Sequence, residues 1–566
     1  MDVNTQLQTC YAALQAGNFA GAEAQYEQIS RAHPSNCDGY HLGALISHRM
    51  GQQLVALTRI DKALEIMPTH FECLNTKGNI LNSLQDFPGA VLAYKASLKA
   101  QPAYLGAAIN FGACLINNKD PKHALAVYQA ALNHNQTNTQ LQIGEVIALK
   151  EMMRNDEALA KLDDMAEGDK FPYVRAQILL QLEQWDSSVI ENNKALQDPS
   201  AAAPAFQNIM QALWMQGKWD EAQAHIDEYI AKAGQTVPMY ATAARLLDKA
   251  DDRSGAYDML ARSVARHGPQ PDILAARARF KLEDGDMEAA YVDALAGLSA
   301  RPGDINIMAD YADSALATGR TSEAMTAATE ALKLIPNNQF WIAVKATAMR
   351  ALGQNHEYYT NLEKFVVPFQ IEPPDGYGNL VEYNAALKVV LDEMHGLSEH
   401  PLDQSLRNGT QTVRDLRFVD HPILKAHFKA LDKPIREYMK MLGHDETHPF
   451  LRRNTGEYLI TGSWSVKLRK KGFHVSHVHP EGWISSAYYV DVPDEVADTE
   501  KKAGWIHFGK PPFDVLDQNG KPLGYEKIVQ PKVGTLVLFP SYMWHGTNPL
   551  EQDATRMTLP IDVVPV

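Results

Sequence analysis

Small residues return at a fixed interval along the first 360 residues of the chain. The step within each series is 34 residues, and one shift of four positions separates the two series. The positions are Ala22, Ala56, Ala90, Ala124 and Ala158, followed by Ser188, Ala222, Ala256, Ala290 and Ala324. Glycine keeps the same interval at Gly17 and Gly51, and proline does so at Pro34, Pro68 and Pro102. This period predicts pairs of antiparallel helices, with the small residue where two helices cross and the glycine in the turn between them.

The 34-residue pattern resembles the tetratricopeptide repeat and covers residues 3–360 in about ten units. Repeats of this family stack into a superhelix with a long concave groove. The resemblance implies that a protein or peptide partner binds in the groove. Such repeats also serve as dimerisation arms, so a homo-oligomer is the other partner that the resemblance allows.

The pattern changes after Gly353, and residues 361–379 are predicted to be a linker because FVVPFQIEPPDGYGN contains three prolines and two glycines. Two helical patterns follow. From about Glu457 the chain consists of short runs rich in β-branched and aromatic residues, separated by glycine and proline. Such runs are typical of a sandwich or barrel of short strands. The prediction is a multidomain protein, with an all-α repeat solenoid at residues 1–360 and a β domain with flanking helices at residues 380–566.

Composition and charge narrow the class of protein. The chain has 566 residues, too many for one core, and its net charge of −15 argues against nucleic acid or an anionic membrane as a partner. The sequence contains no apolar stretch of about 18 residues, so no membrane span is predicted. The first residues lack the pattern of a signal peptide. The four cysteines, Cys10, Cys37, Cys73 and Cys114, show no CxxC spacing. We therefore expect a cytoplasmic protein with reduced thiols.

A group of histidines marks the candidate chemistry of the β domain. His477 and His479 are two residues apart, so they would point to the same face of one strand, and His545 would arrive from a distant strand. Two histidines and one carboxylate on one face form the commonest site for non-haem iron(II). His477 and His545 fit the histidine positions, and His479 stands where the carboxylate is expected. These three residues are the candidate metal ligands and catalytic residues.

Candidate residues for a cosubstrate follow on the last strands. Arg556 fits the basic residue that would pair bidentately with the distal carboxylate of 2-oxoglutarate. Thr558, two positions along the same strand face, could add a hydroxyl donor. Tyr488 and Tyr489 alternate on their strand, so only one of them can point inward and hydrogen-bond the cosubstrate. We assign Tyr488 as the candidate, and Tyr489 stays open as the alternative.

Residues 377–566 resemble the 2-oxoglutarate- and iron(II)-dependent oxygenases of the double-stranded β-helix (jelly-roll or cupin-like) fold, in particular a bacterial group with tetratricopeptide repeats in front. The resembling stretches are HPLDQSLRNGTQT (400–412), HVSHVHPEGWISSAYYV (474–490), LVLFPSYMWHGTNP (536–549) and RMTLPIDV (556–563). The resemblance implies iron(II) as cofactor, with 2-oxoglutarate and dioxygen as cosubstrates. It also implies hydroxylation or a related oxidation, with succinate and carbon dioxide as by-products.

One position departs from the family pattern, because the usual second ligand is Asp or Glu and this chain has His479. Three-histidine iron sites occur among oxygenases of the cupin type, so the departure does not exclude activity. The alternatives are Glu481 as the carboxylate ligand and a site with two histidines only. His474 is expected at the pocket rim or on the surface, and Arg407 or Gln411 could line the pocket. A structural zinc site would not account for Arg556.

The resulting hypothesis is a 2-oxoglutarate- and iron(II)-dependent dioxygenase, most simply a hydroxylase, that acts on a protein or peptide delivered by the repeat groove. Two alternatives stay open. The first is an interaction scaffold whose oxygenase fold has lost turnover, which the replacement at His479 would explain. The second is a cupin-like enzyme that uses the same metal without 2-oxoglutarate, and Arg556 speaks against it.

Overall fold

The computed structural model describes residues 2–165, 171–232, 236–395, 405–412 and 414–566, so residues 400–404 of the motif HPLDQSLRNGTQT lie outside the described residues. The chain divides into two compact units, residues 1–170 and 171–566. The first unit contains repeat helices, and the second contains further repeat helices followed by the β domain. Within the ranges given above, no helix is long and apolar enough to cross a membrane.

The first unit is built from successive helices that pack in pairs. They are α1 (Val3–Gln15), α2 (Phe19–Ala32), α3 (Cys37–Arg49), α4 (Gln53–Ile66), α5 (Phe71–Ser83), α6 (Phe87–Ala100), α7 (Leu105–Asn117), α8 (Pro121–Leu132), α9 (Thr139–Glu151) and α10 (Asn155–Asp164). The periodic alanines Ala22, Ala56 and Ala90 are fully buried. At Gly78 of α5, an added side-chain carbon would lie 2.5 Å from the ring of Tyr94 on α6. Small residues are needed at these crossings because the helices approach closely.

The repeat helices continue in the second unit. They are α11 (Pro172–Gln181), α12 (Trp185–Ala195), α13 (Ala202–Met215), α14 (Trp219–Lys232), α15 (Val237–Lys249), α16 (Arg253–His267), α17 (Pro271–Glu283), α18 (Met287–Ala300), α19 (Ile305–Ala317), α20 (Thr321–Leu334), α21 (Gln339–Ala351), α22 (Glu357–Thr360) and α23 (Leu362–Phe365). Helices α11 and α12 have 10 and 11 residues, and the shift of the 34-residue register falls on this shorter pair. The predicted helical repeat region is confirmed.

Among the described residues, the β domain has two α-helices, α24 (Leu380–Met394) and α25 (Pro422–Leu442), and two antiparallel sheets. Its strands are β1 (Val367–Gln370), β2 (Leu406–Gln411), β3 (Tyr458–Ser463), β4 (Val466–His474), β5 (Ile484–Asp491), β6 (Ile506–Phe508), β7 (Lys527–Val529), β8 (Thr535–Pro540), β9 (His545–Thr547), β10 (Arg556–Thr558) and β11 (Ile561–Pro565). The larger sheet has the order β1-β8-β5-β10-β4-β2, with β11 pairing β5 and β3, and the smaller has the order β7-β6-β9. The predicted class, a repeat region followed by a double-stranded β-helix domain with flanking helices, is confirmed.

Helices α24 and α25 support the larger sheet. Their apolar residues recur at intervals of three and four, which gives each helix one apolar face. Leu387 of α24 and Leu431 of α25 are fully buried in the same core as Trp483, Leu536 and Leu538. The helices therefore hold one face of β5 and β8 rigidly, and the opposite face is left for the site.

The last long repeat helix, α21, packs against the β domain. Trp341 of this helix shares an apolar core with Phe513 and Leu523, which lie between β6 and β7. The indole Nε1 of Trp544 donates a hydrogen bond to the Thr347 hydroxyl at 3.1 Å. The end of the repeat region is thus covered by residues of the β domain.

The segment predicted as a linker, residues 361–379, contains strand β1. Val367 pairs with Leu538 of β8, so this segment adds an edge strand to the larger sheet. Pro368 is compatible with this position because an edge strand leaves one row of backbone N–H groups unpaired. The domain bounds at 360 and 380 stay predictions.

A fragment that ends after residue 360 is expected to be helical but to self-associate. Removal of the β domain would expose the face of α21 that carries Trp341, which is now buried against Phe513 and Leu523. Exposed apolar surface of this kind favours association. Light scattering at micromolar concentration measures the mass of the fragment, and the full chain is the control. A fragment that stays monomeric would contradict the prediction.

Candidate metal centre

Three histidines converge where the chain passes from β4 towards β5 and enters β9. His477 and His545 form an isolated antiparallel bridge, with hydrogen bonds of 2.9 and 3.1 Å between their backbone groups. The backbone N–H of His479 donates to the Ser541 carbonyl at 3.0 Å. One ring nitrogen from each of the three histidines lies within 4.8 Å of the other two. The ladder between these two segments therefore brings distant parts of the sequence to one point.

The outer nitrogen of each imidazole has its own hydrogen-bond acceptor. Nδ1 of His477 donates to the Val475 carbonyl at 2.8 Å, and Nδ1 of His545 donates to the Met543 carbonyl at 2.9 Å. Nδ1 of His479 lies 2.7–2.8 Å from the carboxylate of Asp562. A proton on Nδ1 leaves the Nε2 lone pair free, and this tautomer binds a metal through Nε2. The Nε2 atoms of His477 and His479 are 3.3 Å apart.

Asp562 distinguishes His479 from the other two histidines. Its carboxylate also accepts a hydrogen bond from the Ser485 hydroxyl at 2.7 Å, which fixes its orientation. Burial alone would lower the pKa of His479, but the charge and hydrogen bond of Asp562 raise it above the ordinary value. Burial lowers the pKa of His477 to about 4 and that of His545 well below its usual range. The pocket therefore holds two neutral imidazoles and one imidazole with a carboxylate behind it.

His474 lies beside the three histidines without joining them. Its ring centroid is 6.0 Å from that of His477, and its Nδ1 is 3.1 Å from the Ser405 hydroxyl. Burial, followed by the charges of His477 and Arg556, lowers the pKa of His474 well below its usual range. This position agrees with the expected place at the rim of the pocket.

Arg556 is a buried cation with incomplete hydrogen bonding. Its side chain is 3% exposed, Nη1 donates to the Gly504 carbonyl, and Nε has no partner. Among the residues that the structure describes, no carboxylate forms an ion pair with it. The guanidinium carbon lies 5.7 Å from the ring centroid of Tyr489, whose buried hydroxyl also lacks a partner. Burial lowers the pKa of Arg556, although Tyr489 opposes this shift. A buried charge of this kind is costly unless an anion binds it.

The assignment of Tyr488 requires a correction, because its side chain points away from this site. The Tyr488 hydroxyl donates to Asn384 of α24 at 2.9 Å, and its ring lies 4.7 Å from that of His427 on α25. Tyr489 is the residue beside Arg556. Both faces of β5 are buried, so alternation alone could not decide between the two tyrosines. Thr558 pairs with Tyr489 across β10 and β5, as expected for a residue on the face of Arg556.

The remaining candidates lie outside the three-histidine cluster. Glu481 is exposed in a turn, and the cluster forms without it. Arg407 and Gln411 are partly buried on β2. Asp562 is the residue that sequence reasoning missed, because its place at the second position of strand β11 does not indicate a role behind a histidine.

Comparison with known proteins finds a family match within the β domain. Residues 462–562 match the family described as "Putative 2OG-Fe(II) oxygenase", and this range contains the three histidines, Tyr489 and Arg556. No curated protein matches the chain.

Solved structures match the repeat region at low identity. A tetratricopeptide repeat protein from Parabacteroides merdae is 15% identical, with 55% of this chain and 98% of that chain covered and a TM-score of 0.30. PilF of Pseudomonas aeruginosa is 15% identical, with 35% and 94% covered and a TM-score of 0.31. MamA is 13% identical, with 35% and 95% covered and a TM-score of 0.26.

Proposed function

We propose that this protein is a non-haem iron(II)- and 2-oxoglutarate-dependent dioxygenase, a hydroxylase whose repeats bind a protein or peptide substrate. The observation that carries the proposal is Arg556, a buried guanidinium without a carboxylate partner among the described residues, in the same domain as the three histidines. A purely structural metal site would not require a buried guanidinium such as that of Arg556. A dicarboxylate cosubstrate supplies the missing anion.

The donor set fits iron(II). His477, His479 and His545 would hold it through Nε2, since each Nδ1 is engaged elsewhere. Activation of dioxygen, with conversion of 2-oxoglutarate to succinate and carbon dioxide, is the chemistry that such a centre supplies when bound. The three ligands include no carboxylate. Asp562 instead supplies a carboxylate that contacts Nδ1 of His479, on the side of the ring away from Nε2. This arrangement would place one negative charge near a bound metal and would make His479 a stronger donor.

The orphaned polar atoms fit the distal carboxylate of 2-oxoglutarate. Nε of Arg556 and the hydroxyl of Tyr489 are buried and unpaired, and Thr558 offers a hydroxyl on the same face. An arginine fork binds a carboxylate with two parallel hydrogen bonds, and exclusion of water strengthens them. Phe539, whose ring centroid is 4.7 Å from that of His545, helps to keep water from the centre.

The place of the repeats supports a polypeptide substrate. The backbone N–H of Gln339, at the start of α21, donates a hydrogen bond of 2.8 Å to the carbonyl of Pro480, the residue after His479. A peptide bound along the repeat helices of the second unit would therefore lie next to the strands that carry the site. Iron(II), 2-oxoglutarate and the polypeptide would then meet at one edge of the β domain.

The test is an anaerobic titration of the purified chain with iron(II) and then 2-oxoglutarate. The expected result is a metal-to-ligand charge-transfer band that saturates at one cosubstrate per chain, followed by succinate formation when air is admitted. The matched control replaces 2-oxoglutarate by succinate, which keeps one carboxylate for Arg556 but lacks the keto acid that chelates iron. Iron binding without any band on addition of 2-oxoglutarate would contradict the proposal.

Replacement of Asp562 by asparagine is expected to lower iron(II) affinity by about 10- to 100-fold, the usual effect of losing a carboxylate behind a metal-bound histidine. Asparagine keeps the shape of the side chain but removes the charge that acts on His479. Competition with a coloured chelator measures the affinity. Asp491→Asn is the control, because Asp491 forms a partly exposed ion pair with Lys388. Equal affinities in the two variants would exclude this role of Asp562.

A further inference from the structure

Two cysteines and a histidine meet in the first unit, which does not contain the β domain. The Sγ atoms of Cys37 and Cys73 are 3.8 Å apart. A ring nitrogen of His70 lies within 4.8 Å of both sulfur atoms. Cys37 begins α3, whereas His70 and Cys73 stand at the N-cap and in the first turn of α5. The cluster therefore joins the starts of two helices from successive repeats.

Helix packing alone does not require these residue types. Cys114 is a buried cysteine of the same unit and belongs to no such cluster among the described residues, so buried thiols here are not generally paired. The carboxylate of Asp38 lies beside the imidazole, with its Oδ1 3.7 Å from His70 Nε2. Its charge also acts on both thiols. Two sulfurs and one imidazole thus face one small volume, and a carboxylate lies beside the imidazole.

We propose that Cys37, Cys73 and His70 bind a zinc ion, with a water molecule in the fourth position and Asp38 beside the Nε2 atom of His70. Zinc prefers tetrahedral sites of thiolate and imidazole. Two Zn–S bonds of about 2.3 Å at the tetrahedral angle place the sulfur atoms about 3.8 Å apart. The observed separation of 3.8 Å between Cys37 and Cys73 meets this requirement without any movement.

The imidazole needs only a small adjustment. Nδ1 of His70 accepts the backbone N–H of Cys73 at 3.3 Å, a long hydrogen bond that caps α5. Exchange of this weak contact for a metal bond costs little. The side chain of His70 is 15% exposed and that of Asp38 is 61% exposed, so the ion can enter from solvent.

Binding would change the protonation of the two thiols. Burial raises the pKa of the Cys37 and Cys73 thiols, so both are protonated in the absence of metal. Each must lose its proton to become a ligand, and zinc uptake should therefore release about two protons per ion. The bound ion would tie α3 to α5 and stabilise the stacking of the first repeats. This site is independent of the oxygenase proposal, because none of its residues belongs to the β domain.

The test uses cobalt(II) as a spectroscopic substitute for zinc in the reduced, full-length chain. Thiolate ligands give an intense near-ultraviolet charge-transfer band, which the three histidines of the β domain cannot produce. We expect this band to saturate with one cobalt per chain and to disappear on addition of zinc. It should be lost in Cys37→Ser and in Cys73→Ser but retained in Cys114→Ser, the matched control. His70→Gln should keep the thiolate band but weaken binding at least about 10-fold.

Thermal unfolding gives a second measurement. Zinc should raise the unfolding temperature of the wild-type chain and of Cys114→Ser, and Cys73→Ser should lose the part of this rise that belongs to the first unit. A wild-type chain without the thiolate band would overturn the proposal. So would a band of full intensity in Cys73→Ser, since another thiol would then be the ligand.

Discussion

Alanine in place of His477 or His545 is expected to abolish the binding of one iron(II) ion at the β domain. Each variant removes one of three imidazoles that meet within 4.8 Å, and among the described residues no carboxylate belongs to this group. Loss of a direct ligand should cost more than the roughly 10- to 100-fold that follows from loss of a group behind a ligand. Both variants should therefore contain no iron after desalting.

Iron content after anaerobic loading measures this effect, in a Cys73→Ser background so that thiols do not bind metal. His507→Ala is the matched control. His507 is buried on β6, which pairs with the strand of His545, but its ring stacks on Tyr525 with centroids 4.0 Å apart. This variant should keep one iron per chain. Unchanged iron binding in both His477→Ala and His545→Ala would mean that the site lies elsewhere.

The repeat region could be predicted from the sequence because its packing is local and periodic. Each alanine of the 34-residue series meets the same need, a close crossing of neighbouring helices, so the need recurs visibly along the chain. Ala22, Ala56 and Ala90 are all fully buried, as that reasoning requires. Strand β1 could not be found in this way. Its pairing with β8 joins Val367 to Leu538, and such a distant partner leaves no local periodicity.

The candidate site was predictable where residue type and spacing carry the chemistry. His477 and His479 stand two positions apart, and the structure brings both to His545. Which side chain of a strand points towards the site was not predictable where both faces of the strand are buried. Tyr488 and Tyr489 are both fully buried, and only the position of helices α24 and α25 decides which of them meets Arg556. Asp562 escaped notice because a carboxylate behind a ligand has no fixed spacing from it.

Alanine in place of Arg556 is expected to weaken 2-oxoglutarate binding while iron binding stays nearly intact. Removal of one partner of a buried, hydrogen-bonded charge pair costs about 2–5 kcal/mol, which corresponds to a loss of affinity of roughly 30- to several-thousand-fold. Arg556→Lys should be milder but still damaging, because an ammonium group cannot form the planar fork. A protonated guanidinium is not a metal ligand, so the iron content should not fall.

Calorimetric titration with 2-oxoglutarate, with manganese(II) in place of iron to prevent turnover, measures this loss. Arg417→Ala is the control, since Arg417 of the same domain is paired with Asp415 at 2.6 Å. A surface ion pair would cost only about 0–1 kcal/mol on removal, but Arg556 is 3% exposed and its Nε has no partner. The stronger effect is therefore expected. An Arg556→Ala chain that binds 2-oxoglutarate as tightly as the Arg417→Ala control would remove the main support for a 2-oxoglutarate enzyme, because the buried guanidinium would then be serving the fold alone.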